Sequence, residues 1–460
     1  MKMLLAINWS EVGLQVGQLI LSLSILVILH EFGHFLPAKW FKCRVEKFYL
    51  FFDPWFSLFK KKIGDTVYGI GWLPLGGYVK IAGMVDESMD KEQMKQPPQP
   101  WEFRSKPAWQ RLIIMVGGVT VNILLAFFIY AMILYTWGET QLPMKNMKDG
   151  IAVNDSIAYK LGLKDGDKIL AVNHKPVTYF SDLNVQLLLG QNNITLERDG
   201  KEQTLTIPVN LIEKIVEKGR RAPLVTVRMP GVVGALPDTS PAKAAGLMVK
   251  DQIVGVNDEE TKYYDQVRTA FHSHKGDTVR IRIKRDNRDT VLQAKVSPEG
   301  TVGFYFYPFS NDELSRLGIY QYEQKDYGFF ASFPAGVRKA GEKLSSYVQQ
   351  FKMLLNPKTG AYKGLSGFRG MASIFPNDGW DWEAFWNITA FFSIALAFMN
   401  LLPIPALDGG HVLFTLIEMI TGRRPSDKFL EYAQIVGMVL LLGLMLFANG
   451  NDWFGWGRGK

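Results

Sequence analysis

Four long runs without a charged residue divide this chain: Val12 to Leu29, Leu112 to Trp137, Phe385 to Leu407 and Tyr432 to Asn451, of 18, 26, 23 and 20 residues. A helix rising about 1.5 Å per residue needs roughly 20 residues to cross a hydrocarbon core of about 30 Å, so each run reads as a membrane span. The second and third runs enclose a polar block of ordinary globular composition, and a mean hydropathy near zero averages the two kinds of segment. The first run reads as a retained span rather than a cleaved leader. Lys2 is its only early charge, no small-residue cleavage site follows it, and a charged helical motif continues it.

The excess of 52 Lys and Arg over 44 Asp and Glu is only +8, too small to argue for a nucleic-acid partner. A single cysteine, Cys43, excludes an internal disulfide and a cysteine-based zinc site. Orientation follows from cations near the span ends. Lys39, Lys42, Arg44, Lys47 and the run Lys60, Lys61, Lys62 follow the first span, and Arg423, Arg424 and Lys428 lie between the third and fourth. Those sides are expected to be cytoplasmic. Both termini and the large polar block are then outside, which in a bacterium is the periplasm.

The polar block repeats itself. The string from Ser156 to Asn173 aligns without a gap on that from Ser240 to Asn257, at an offset of 84 residues. Each copy reads as a short helix ended by Gly162 or Gly246, a turn with Asp167 or Asp251, and a buried strand over Ile169 to Val172 or Ile253 to Val256. Further alternating strands follow each copy. A period of this length is too long for a solenoid and fits two tandem copies of one small domain. The string Ser-Pro-Ala-x-x-Ala-Gly-Leu, then Asp-x-Ile and Val-Asn, resembles PDZ domains, which implies grooves where an extended peptide adds as a strand. Ligand binding and steric filtering of substrates are weighed equally. His174, His272 and His274 in this block receive no role. Beyond it, Val337, Leu344, Val348, Phe351 and Leu355 mark one apolar helical face. That face is expected against the PDZ pair or on the membrane surface. A glycine-rich stretch from Gly360 to Gly370 leads to the third span.

The chemistry begins where the first span ends, at His30-Glu31-Phe32-Gly33-His34. Residues four apart on a helix share a face, so two neutral imidazoles can meet one zinc ion. Glu31 is adjacent without being a ligand, the position needed to take a proton from a water that the ion acidifies to a pKa of about 7. With only six histidines in the chain, accidental pairing at this spacing beside a glutamate is improbable. A catalytic zinc needs a third protein ligand and an open position. In Asn400-Leu-Leu-Pro403-Ile-Pro405-Ala-Leu-Asp408-Gly409-Gly410-His411 the prolines must break the helix, and Asp408 is an isolated carboxylate at membrane depth. His411 is the rival ligand, and a helix cap is the rival role for Asp408. Thr66 to Leu73 alternates and turns at Pro74 and Gly76-Gly77 into Tyr78 to Ile81, a hairpin pattern. A strand edge near the zinc could hold an unwound substrate by main-chain bonds.

Taken together, the His-Glu-x-x-His, the Asn-Leu-Leu-Pro-Ile-Pro-Ala-Leu-Asp-Gly-Gly and the Pro74-Leu-Gly-Gly-Tyr-Val79 segment resemble the bacterial site-2 proteases, and the tandem PDZ insertion resembles their sigma-E-regulating members. The resemblance covers nearly the whole chain. It implies one zinc held by His30, His34 and Asp408, with Glu31 as catalytic base, and hydrolysis of peptide bonds within the membrane. It implies substrate placement by Asn400, Pro403 and Pro405, and by Gly69 and Gly71 in a membrane-associated sheet. The implied substrates are single-span proteins, an anti-sigma factor in envelope-stress signalling and also remnant signal peptides. Two strings depart from the family: Gly117-Gly118-Val-Thr-Val-Asn122 has Gly in place of Pro, and Leu365-Ser-Gly367-Phe368 ends in Phe in place of Pro.

The expected architecture is a polytopic α-helical protein of the bacterial inner membrane with four transmembrane helices, a membrane-associated β-hairpin or sheet and two tandem periplasmic PDZ domains of α+β type. Its divisions are 1–36 (first span), 37–111 (β-region), 112–137 (second span), 138–220 and 221–310 (PDZ domains), 311–384 (connector), 385–422 (third span) and 423–460 (fourth span and tail). The partners expected are the bilayer, a membrane-embedded substrate and peptide ligands of the PDZ domains, with no nucleic acid. The alternative is a non-enzymatic PDZ-bearing membrane scaffold with a structural metal site. A metal transporter would need polar groups along several spans, and spans two and four carry almost none.

Overall fold

The computed structural model of the chain describes residues 9–84, 97–188, 192–217 and 223–457. They form two compact units, one comprising the chain up to Glu139 with Asp326–Leu355 and Tyr362 onward, the other Thr140–Lys325 with Asn356–Ala361.

In the first unit the helices Trp9–Trp40, Ala108–Thr136, Trp382–Leu401 and Asp427–Phe454 carry the charge-free runs, the third run continuing past its helix to Leu407. Each of the four is long and apolar enough to cross a membrane. The second helix is the hub, packed on the first, on the third and on Phe329–Leu355. Its approach to the first is glycine on glycine. A Cβ at Gly33 would lie 2.5 Å from the Gly117 carbonyl oxygen, and one at Gly117 would lie 2.0 Å from that of Gly33. The third helix stops at Leu401, the chain turns through its two prolines, and a new helix runs from Asp408 to Thr421. The break follows from the prolines, which cannot donate to the ladder.

Helix Phe329–Leu355 meets the membrane helices mainly through small residues. It packs on the second and third spans, and the residues it buries are Ser332, Ala335, Gly336 and Ala340. A Cβ at Gly336 would come within 2.6 Å of the Ala131 nitrogen. Val337, Leu344 and Leu355 of the expected face are exposed, while Tyr347 and Phe351 pack edge-on against Phe391 and Phe398.

The strands Val45–Ile63 and Thr66–Ile81 pair twice over. Segment 45–50 pairs with both 66–71 and 77–81, and 66–71 pairs in turn with 57–63, so four rows lie in the order 57–63, 66–71, 45–50, 77–81. Row 77–81 is therefore an edge, and no strand among the described residues pairs with its outer side.

The second unit holds two copies of one arrangement. A short helix, Ser156–Lys160 or Pro241–Ala244, is N-capped by Asp155 or Ser240 and closed by Gly162 or Gly246, both at positive φ. Each is followed by a four-stranded antiparallel sheet crossed by a helix, Phe180–Leu188 or Tyr264–Ser273. The repeated aspartates have the same task. Asp167 accepts from the Lys164 N–H at 2.8 Å and from Arg198 at 2.7 Å. Asp251 accepts from the Met248 N–H at 2.8 Å and from Arg285 at 2.7 Å. Each ion pair ties the turn to the neighbouring hairpin.

Strand Val225–Val227, although beyond residue 220, pairs with Ile151–Val153 of the first copy. The Asn184 amide accepts from the Val225 N–H at 3.2 Å and donates to its carbonyl at 2.9 Å, closing the outer edge of that strand. In the second copy the residue at the matching helix position is Arg268, and it donates to the Val153 carbonyl of the first copy at 3.0 Å. Arg228, buried, joins the copies through Asp265 at 2.6 Å.

Candidate metal centre

The first span presents His30 and His34 one turn apart, both buried, on the side facing the second span. Asp408 arrives as the first residue of the helix after the proline turn. Its Oδ2 lies 3.2 Å from His30 Nε2 and 3.3 Å from His34 Nε2, and the two Nε2 atoms are 3.3 Å apart. Among the described residues these three are the cluster whose ligand atoms converge, all within 4.8 Å of one another. Gly409 and Gly410 make the turn possible. A Cβ at the first would sit 2.2 Å from the Leu402 carbonyl oxygen, and one at the second 2.4 Å from the Pro405 Cα.

The atoms suit a metal. Asp408 Oδ2 is buried without a hydrogen-bond partner. His34 Nδ1 lies 2.8 Å from the Ile114 carbonyl, which can only accept, so Nδ1 carries the proton and Nε2 keeps its lone pair toward the cluster. Two nitrogens and a carboxylate oxygen are a zinc donor set, and three protein ligands leave one position open.

The cluster lines a cavity of about 790 Å³. Glu31 lies on its wall with its carboxylate within reach of the Val79 main-chain N–H, so the edge row, Gly77 to Ile81, lines the cavity beside it. Asn400 reaches in with its amide nitrogen 3.3 Å from His30 Nε2. His411 lines the cavity but stands outside the converging cluster. Pro403 and Pro405 do not line it; Pro405 supports the start of the Asp408 helix. Gly69 and Gly71 lie in an interior row, where a Cβ would meet the Tyr49 ring at 2.3 Å and the Phe52 carbonyl oxygen at 2.1 Å. Sequence reasoning named Asn122 only within the second-span string, without a role, and missed Gln434; both line the cavity, on spans two and four. Both are polar and buried in apolar helices, which was the available signal.

A membrane-spanning His-Glu-x-x-His helix with a carboxylate brought to it by a broken span is the arrangement of an intramembrane metallopeptidase. The profile of peptidase family M50 matches residues 18–444. Over 458 residues the chain is 29% identical to a Vibrio cholerae protein described as a candidate zinc metalloprotease, covering 94% of this chain and 97% of the relative. It is 27% identical over 455 residues to the regulator of sigma E protease of Haemophilus influenzae, covering 95% and 98%. The chain belongs to peptidase family M50, the site-2 protease family, and is a zinc metalloendopeptidase.

Proposed function

We propose that the protein hydrolyses peptide bonds inside the transmembrane segments of single-span membrane proteins, using one zinc ion held by His30, His34 and Asp408. The observation that carries this reading is the convergence of those three side chains to 3.2–3.3 Å, in a cavity bordered by a strand edge. A zinc ion held there supplies Lewis acidity, acidifying a water and polarising a carbonyl. Glu31 takes the water proton and returns it to the leaving amine. Because a helical segment has its carbonyls bonded, it must unwind before attack. The edge row 77–81 is suited to receive the unwound piece as an added strand. Asn400 holds the substrate beside the ligands, the Pro403–Pro405 turn shapes the loop behind Asp408, and Gly69 and Gly71 let the rows beneath the edge pack closely.

The Haemophilus relative is named for the regulation of sigma E, and the proposed substrates are an anti-sigma factor with a single span and, as a second class, remnant signal peptides. The cation pattern supports an inner-membrane protein with both termini and the repeat outside. The two copies act as PDZ domains over about 138–220 and 221–310, the first extended by Val225–Val227. Asn184 closes the strand edge of the first copy, which favours filtering over peptide capture there.

Detergent-purified protein incubated with a panel of single-span substrates, with and without chelator, tests the reading. Glu31→Gln should keep zinc and lose cleavage by at least about 100-fold. Wild-type cutting by that variant would remove Glu31 from the chemistry, and chelator-insensitive cutting would remove the metal.

A further inference from the structure

Both metal-facing histidines need something on their other ring nitrogen, and the second span supplies it from one face. Ile114, Gly118 and Asn122 are spaced four residues apart and so stack on the same side of that helix. The Ile114 carbonyl takes His34 Nδ1 at 2.8 Å, and the Asn122 amide, placed with Nδ2 toward the ring, lies 3.3 Å from His30 Nδ1. Between them Gly118 has no side chain, so the rings lie against bare backbone, with the place a Cβ would take only 2.6 Å from His30 Cε1.

We propose that Asn122 is the positioning residue of His30, accepting the Nδ1 proton through its side-chain oxygen and thereby keeping the Nε2 lone pair aimed at the zinc; this rests on the zinc reading above. A neutral imidazole carries a single N–H. With His30 Nε2 directed at Asp408 and His34 within 3.2 and 3.3 Å, the proton belongs on Nδ1, and the Asn122 amide is the group beside it. Only the oxygen of that amide can accept. Oδ1 is buried without a partner, and a half-turn of the terminal torsion exchanges it with Nδ2 without moving the helix. Asn122 itself is fixed in depth, since it is fully buried and its main-chain carbonyl accepts from Ser393 Oγ at 2.7 Å.

The pair Asn122→Leu and Asn122→Asp separates this role from helix packing. A carboxylate accepts and cannot donate, whereas leucine has similar bulk and no acceptor. Zinc affinity of the full-length protein in detergent is measured by competition with a chromophoric chelator, with intrinsic-fluorescence melting as the check on folding. Leu is expected to weaken zinc 10- to 100-fold, the usual cost of losing a partner behind a ligating histidine, and Asp to bind at least as tightly as wild type. Unchanged affinity in the Leu variant overturns the proposal. So does an Asp variant that weakens zinc as Leu does or fails to fold. Should Leu not fold, Asn122→Ala takes its place with the same expectation. Wild-type protein that binds no zinc would instead overturn the metal reading, a distinct result.

Discussion

Adding one carbon to Gly118 should damage the metal centre although it strengthens the helix. A Cβ built there lies 2.4 Å from His34 Nε2, 2.6 Å from His30 Cε1 and 2.8 Å from His30 Nδ1. Comfortable contact needs about 3.5 Å, so the rings or the helix must yield by roughly 1 Å. Neither imidazole can swing away cheaply, because His34 is held by the Ile114 carbonyl and His30 lies against Asn122. Retreat of the second helix would open the close backbone contact of Gly117 with Gly33 one residue earlier, losing its packing. Alanine gains about 0.8–1 kcal/mol over glycine in a helix interior, while overpacking costs about 1–3 kcal/mol, so the steric effect wins. A displacement near 1 Å at a reacting centre costs about 100-fold in rate. Gly118→Ala is therefore expected to fold, to hold zinc more weakly and to cleave about 100-fold more slowly at saturating zinc. Chelator competition and cleavage of a single-span substrate measure the two effects. Gly443→Ala is the control, because nothing lies within 4 Å of its added carbon. Zinc affinity and rate within about threefold of that control, well short of the expected 100-fold, would refute the packing account.

Asp408→Asn should lose zinc by at least about tenfold more than His411→Ala, because Asp408 Oδ2 is in the converging cluster and His411 is outside it. Equal zinc content by elemental assay would undo the ligand assignment. In the second unit, Asp251→Ala leaves the Met248 N–H unpaired and Arg285 with only the Gly246 carbonyl, and is expected to destabilise the second copy by about 2 kcal/mol, read as a lower urea midpoint for proteolytic protection. An unchanged midpoint would mean the pair is ornamental. Asn184→Ala removes both bonds to the Val225 main chain and should accelerate hydrogen exchange at that N–H, which stays slow if the strand edge is closed by something else.

What was legible in the sequence was local. A charge-free run reports its own length, and His30, Glu31 and His34 lie within one turn, so spans and motif need no knowledge of the rest of the chain. Asp408 was legible for a related reason: an isolated carboxylate between prolines and glycines at membrane depth is too costly to keep there unless a cation or a ligand meets it. Alternation likewise marks strands, but it does not say in what order they line up. Segment 45–50 has two partners, and that double pairing moves Gly69 and Gly71 inside the sheet and leaves 77–81 as the edge beside Glu31. Nor does a span of hydrophobic residues announce that Asn122, 92 positions away, will stand behind His30.

The face that Phe329–Leu355 turns toward the spans has a general cause. A helix that faces water buries its largest apolar side chains. Against transmembrane helices that preference reverses, because lipid is as apolar as leucine and close backbone approach is what helix contact gains. Accordingly Gly336 and Ala340 meet the second span while Val337 and Leu355 stay outside. The same rule sets Gly33 against Gly117 at the metal centre, where the approach brings the imidazoles onto the face of Ile114, Gly118 and Asn122. In this protein the small residues decide which helices touch, and the polar residues behind them decide what the touching helices can bind.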